Sequence, residues 1–193
     1  MAQGIVMANN NAHNETRAAR LARFQSNPPY EAVATLLNSI ANFFNNELSL
    51  TVEGQNDQTS LMFLGVHASA LTIMEALFDV YGPDAYRLFL EKFVDGAIPD
   101  RKFSAIAGSI HAWRNILAHQ WLGSAGHLIG YDYQMNLGWE DRGGTIFINP
   151  AIYLECYLAA FRAGGAIWQW EAHLSAVDQE AAKQRIIDKY IRN

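Results

Sequence analysis

Apolar residues recur at three- and four-residue spacing through most of this 193-residue chain, the period of helices that bury one face. A short helix is expected over 15–24, with Leu21 and Phe24 on one side and Arg17, Arg20 and Arg23 around it. Pro28-Pro29 stops it, and Pro29 is suited to open the next helix, whose apolar stripe is Val33, Leu36, Leu37, Ile40 and Phe44. Asn45, Asn46 and the segment 54–57 supply its exit and a turn. Thr59 or Ser60 then caps a third helix over 61–78, which is apolar on much of its circumference and therefore expected at the centre of the fold. Gly82-Pro83 separates it from a fourth over 84–94, with Tyr86, Phe89, Leu90 and Phe93 on one side. After the loop 95–100 a fifth helix runs over 103–121, and Gly123 and Gly126 are suited to end it.

The pattern then changes period. Tyr131, Tyr133 and Met135 alternate with Asp132, Gln134 and Asn136, and Thr145, Phe147 and Asn149 alternate with Ile146 and Ile148. Two strands joined through 137–144, with Gly143-Gly144 in the connection, predict a hairpin near 129–149. Pro150 closes it and leads into a helix over 152–161. Gly164-Gly165 breaks the chain before Trp168 and Trp170, and a last helix over 177–192 has Ile186, Ile187, Tyr190 and Ile191 on its apolar side. No internal repeat is evident. The expected class is mainly α: a helical bundle with a small β-hairpin inserted before the C-terminal helices, organised as a flexible N-terminal segment 1–14 and a single helical domain 15–193.

Composition narrows the functional classes. Half of the residues are hydrophobic and 17% are charged, which suits a packed body and argues against disorder. A net charge of -5 gives no broadly basic surface, so a nucleic-acid role requires a local patch. Arg101-Lys102 and the set Lys183, Arg185, Lys189 and Arg192 are the available cations, and both also read as solvated helix faces. Cys156 is the sole cysteine; it cannot form an intrachain disulfide, and among Leu154, Tyr157 and Leu158 it reads as a buried structural thiol. No uninterrupted apolar run approaches ~18 residues, because His67, Glu75 and Asp79 interrupt the best candidate. The N-terminus lacks a basic region followed by a long apolar core. A cytoplasmic protein with no signal peptide and no membrane partner is therefore the expectation.

The densest chemistry lies in the fifth helix, in the run from His111 through Trp113, Arg114, Asn115 and His119 to Trp121. Polar groups in a helix with a core-like pattern are costly unless they have partners or a task. His111 and Asn115 are four apart and share a face, as do Asn115 and His119, while Arg114 lies three after His111. Arg114 and His119 are five apart, about 140° around an ideal helix. They converge either through a distorted last turn or through two copies that pack this helix across a two-fold axis. Such a groove suits RNA phosphodiester cleavage: a histidine removes the 2′-hydroxyl proton or protonates the leaving 5′-oxygen, and an arginine holds the phosphate. The same residues also serve as structure, with Arg and His at the negative end of the helix dipole, Asn115 in an internal network, and Trp113 and Trp121 as core or interface aromatics.

The run Arg114-Asn115-Ile116-Leu117-Ala118-His119 resembles the motif of the HEPN superfamily, the higher-eukaryote and prokaryote nucleotide-binding domains, in which Arg is followed by a polar residue and then by His after four to six intervening positions. The aromatic at Trp121, two after His119, extends the likeness, and the order of helices resembles the family loosely over residues 30–165. The resemblance implies a helical bundle whose two protomers build a composite endoribonuclease site, with Arg114 and His119 catalytic and Asn115 at the polar position. It equally implies a noncatalytic nucleotide-binding or protein-interaction module, since members of both kinds occur. A homodimer, an RNA or nucleotide ligand and a regulatory protein are the partners it suggests.

His111 is added on physical grounds as an orienting or phosphate-binding residue. Glu75 is added as a carboxylate able to pair with Arg114 or to orient a histidine. His67, on the apolar third helix, reads as a hydrogen-bonded core or interface residue. His111, His119 and His127 recur every eight residues without a companion cysteine or carboxylate cluster, so no metal is expected. Gly143-Gly144 and Gly164-Gly165 lack the lysine and hydroxyl of a phosphate-binding loop and read as turns, and no cofactor is expected.

Overall fold

The computed structural model describes residues 15–48, 59–97, 101–120 and 129–192, with the backbone alone at 119 and 120. The segment 1–14, the turn at 54–57, Trp121, Gly123, Gly126 and His127 lie outside the described residues. The described chain is mainly helical with a small three-stranded sheet.

Helix α1, Arg17–Ser26, starts at Thr16, whose side chain accepts from the amide of Ala19, and buries Phe24. Pro29 opens α2, Pro29–Phe43, as its fixed φ allows, and the stripe Val33, Leu36, Leu37, Ile40 and Phe44 is buried as the spacing predicts. The chain continues in a π-helical turn, Phe44–Leu48.

Helix α3, Thr59–Phe78, is long and apolar enough to cross a membrane by length and composition. In this fold it is the central helix, half buried, packed against α4 (Gly82–Phe89), α5 (Ala107–Gln120) and α7 (Ala176–Ile186), with α2 and α6 (Pro150–Phe161) also touching it. Asp79 ends α3 in the left-handed region at φ 55°, a conformation Asp tolerates better than most side chains. Arg185 of α7 donates to the carbonyls of Ala76 and Leu77 at 3.0 and 2.8 Å, satisfying the last turn of α3 from another element. Tyr86, Phe89, Leu90 and Phe93 are buried, the last two in the π-helical turn Leu90–Val94 that extends α4.

The expected hairpin keeps its Gly143-Gly144 turn but is corrected in the length of its connection, its first strand and its strand count. The strands are β1 (Ile129–Tyr131), β2 (Trp139–Arg142) and β3 (Thr145–Ile148), in the order β1-β3-β2. The hairpin is β2–β3: Arg142 pairs with Thr145 across Gly143-Gly144, whose φ values of 68° and 91° give the double left-handed turn that suits strand twist. Residues 132–136 do not form the first arm. Of the alternating run 131–136 only Tyr131 is in a strand, and β1 pairs parallel to β3, with Tyr131 opposite Ile148.

Asn149 explains why alternation misleads there. It is 5% exposed; Oδ1 accepts from the amides of Ala151 and Ile152 at the start of α6, while Nδ2 donates to the carbonyls of Tyr133 and Met135. One side chain thus caps a helix and satisfies the backbone of the loop that replaces a strand. At the other end of α6, Gly165 lets the chain pass close beneath the helix, since a Cβ there would lie 2.4 Å from the carbonyl oxygen of Ala160.

The sheet is fastened to α5 at two points. Arg101, just ahead of the 3-10 turn Phe103–Ile106 that leads into α5, donates to the carbonyl of Trp139 at 2.9 Å, and the Trp139 indole donates to the carbonyl of Lys102. Farther along, the Trp113 indole donates to the Tyr131 hydroxyl at 2.9 Å. Tyr131 also stacks on Phe63 of α3, whose other neighbour is Tyr153 of α6. Helix α5 is thus held between the sheet and α3.

Candidate functional site

Among its described residues helix α5 buries Ala107, Ile110 and Leu117 and leaves most of the motif between core and surface. Ile110 and Leu117 are buried, whereas every residue from 111 to 116 is half-buried. Buried residues seven apart define one face of a helix, so the intervening polar side chains lie around its flanks.

Arg114 and Asn115 are brought together: Nη1 of Arg114 donates to Oδ1 of Asn115 at 3.0 Å. The guanidinium makes no ion pair among the described residues, and its Nε is buried without a hydrogen-bond partner there. Neighbour asparagine therefore fixes one edge of the fork and leaves charge uncompensated by any described carboxylate.

His111 meets His67. Nε2 of His67 lies 3.0 Å from Nδ1 of His111, with the ring centroids 5.0 Å apart. His67 is fully buried, and its ring stacks on Tyr86 at 4.2 Å. Burial first, then the nearby His111 and Arg114, push His67 down to about 3. Burial and Arg114 lower His111 in the same direction. Both rings are accordingly neutral at pH 7, and one N–H lies between them.

The backbone of α5 remains α-helical through Gln120, which keeps His119 about 140° around the axis from Arg114 by ideal geometry. A distorted last turn is not what the described backbone contains. The His119 side chain and Trp121 lie outside the described residues.

Trp113 is tied inward through Tyr131, and its ring packs against the core. Its indole donor is therefore engaged within the chain. Glu75 is not brought to Arg114 or to either histidine of the pair. Two turns beyond His67 on α3, it meets Lys189 at 2.5 Å, in a cleft lined by Tyr81, Arg185 and Tyr190. The spacing of eight along α3 separates the two by more than a helical turn pair can bridge, about 12 Å of rise.

Five of the six residues in the two cation sets have partners within the fold. Arg101 binds Trp139, Lys183 pairs with Glu180, Arg185 caps α3, Lys189 meets Glu75, and Arg192 pairs with Asp188. Cys156 is buried, and burial pushes its thiol up to about 11, which suits packing and not nucleophilic attack at neutral pH. Among the described residues no group of three or more His, Cys, Asp and Glu side chains converges as a metal-ligand set.

Sequence reasoning placed His67 in the core and missed its contact with His111. The available signal was one imidazole in a long apolar helix: a buried ring nitrogen requires a partner, and a histidine 44 residues away on another helix cannot be chosen without the packing. No family model, no curated protein and no solved structure matches this chain.

Proposed function

We propose that the chain is a HEPN-like, metal-independent endoribonuclease whose site is completed by two copies of α5. The observation that carries this reading is the Arg114–Asn115 contact on a half-buried helix face, with no described acid on the guanidinium. The motif residue directly after the arginine holds it, as a phosphate-binding arginine in a defined orientation requires. A mainly helical bundle and an α-helical backbone through His119 support the two-copy arrangement, because one copy keeps the motif's ends apart around the axis.

In the reaction, a neutral His119 takes the 2′-hydroxyl proton as O2′ bonds to phosphorus. The P–O5′ bond breaks, and a protonated His119 of the second copy supplies the proton to O5′. Arg114 stabilises the charge that grows on the non-bridging oxygens. The products are a 2′,3′-cyclic phosphate and a 5′-hydroxyl. No co-reactant is consumed, and DNA, which lacks the 2′-hydroxyl, is not a substrate.

The test is cleavage of a mixed-sequence single-stranded RNA pool in chelator, with end-group analysis. Wild type should leave cyclic phosphate ends, and Arg114→Ala or His119→Ala should each lose about 10²-fold or more while the melting temperature and oligomeric state persist. An inactive wild type, or normal cleavage by both variants, overturns the reading. Retention of a dimer or bound nucleotide without turnover would instead favour the noncatalytic binding or assembly module.

A further inference from the structure

The contact between His67 and His111 determines more than proximity. Two neutral imidazoles that face one another through Nε2 and Nδ1 share one proton, so the arrangement has two forms. In one, His67 carries its proton on Nε2 and donates. In the other, His111 donates from Nδ1, and His67 must hold its own proton on Nδ1. That atom is buried and has no hydrogen-bond partner among the described residues. A stranded N–H in a core is among the rarest polar arrangements, and an under-satisfied lone pair is more readily tolerated. The first form therefore prevails, and it requires His111 to carry its proton on Nε2, the nitrogen left for a ligand.

Protonating His111 would set two N–H groups against each other or force the stranded form on His67. The titratable and charged groups around the pair act the same way: Tyr86 of α4 stacks on His67 without offering a negative charge, and Arg114 repels a further cation from α5 itself.

Resting on the endoribonuclease reading above, we propose that His67 is a positioning residue that locks His111 as a neutral Nε2–H donor, so that His111 and Arg114 together bind a non-bridging oxygen of the RNA phosphodiester. His111 neither takes nor gives the reaction's protons, which move on His119. The site thus separates phosphate recognition, on an imidazole that stays neutral, from proton transfer, on one that must change state. Neutral recognition also avoids a second positive charge beside Arg114 in the unliganded protein.

The experiment uses the full chain labelled with 15N and two variants. Long-range 1H–15N correlation at pH 7 should find His111 protonated at Nε2 and bare at Nδ1. His67→Phe keeps an aromatic ring against Tyr86 without the donor, and should release His111 to mixed tautomers. His67→Gln places an amide donor close to the lost Nε2–H and should restore the wild-type pattern. A 2′-O-methyl oligonucleotide of mixed sequence, which cannot be cleaved, should shift the His111 Nε2–H signal in wild type and in His67→Gln, and less in His67→Phe.

Cleavage should follow the same order, with kcat/KM down at least about tenfold in His67→Phe and recovered in His67→Gln. A wild-type His111 protonated at Nδ1 at pH 7, an unchanged tautomer in His67→Phe, or no shift with the oligonucleotide would each overturn the proposal. If wild type binds the oligonucleotide through His111 but cuts no RNA, only the endoribonuclease reading fails.

Discussion

Tyr86 takes part in two polar junctions that behave differently. Its ring lies against His67, which reaches His111 on the half-buried flank of α5; its hydroxyl meets the hydroxyl of Tyr153, inside a cluster with Tyr157. All three phenols are fully buried, and burial pushes each above its ordinary range. No proton leaves that cluster near neutral pH, so it can only hold α4 and α6 together. The histidine junction uses the same device, a side-chain hydrogen bond between distant elements, but ends on a ring that is half-buried and beside a cation. Exposure at one end turns a structural contact into one that a ligand can reach.

The sharpest way to break the comparison is acid. His67 is depressed to about 3, so the folded chain resists a proton that the unfolded chain accepts below its ordinary value of 6.5. The unfolded state then binds more protons, and stability is complete above pH 6.5 and falls as the pH drops toward 3. His111 and His173 are lowered too and act with the same sign. Denaturant midpoints should show a His67 contribution on the order of 3 kcal/mol lost between pH 6.5 and 4. His67→Phe should flatten that slope. An equally steep slope in the variant would show that the loss arises elsewhere.

The phenol cluster should respond in the opposite manner. Tyr153→Phe removes the partner of the buried Tyr86 hydroxyl and should cost about 1–3 kcal/mol at every pH from 5 to 8. RNA cleavage, measured after confirming folding, should change little. A variant that altered the pH profile of cleavage would mean that the two junctions are coupled through Tyr86.

Glu75→Gln should have the smallest effect. Its half-exposed pair with Lys189 is remote from Arg114 and is worth at most about 1 kcal/mol in urea unfolding, and less at high salt. Cleavage should be unaffected. A large loss of activity would restore Glu75 to the site.

The helix stripes were readable because each depends on local period. Val33, Leu36 and Leu37 in α2 and Tyr86, Phe89 and Phe93 in and beyond α4 recur at helical spacing, and all are buried. The sheet was only partly readable. Gly143-Gly144 marked a turn correctly as a turn, but the strands it joins depend on long-range pairing. Alternation at 131–136 could not reveal that Asn149 would satisfy the backbone of that stretch as a loop. At the site, Arg114, Asn115 and His111 were visible as polar residues on a core-like helix. Glu75 looked equally suitable because sequence gives its face on α3 but not which neighbour covers that turn.

The sequence by itself determined the helical periodicity, the polar run on α5 and the adjacency that lets Asn115 hold Arg114. Only the tertiary structure decided that Glu75 faces Lys189, that Trp113 serves Tyr131, and that His67 meets His111. The reason is physical. Local spacing fixes angles around one axis, whereas the partner of a buried polar atom is set by how several axes cross, and that geometry is resolved only when the whole core packs.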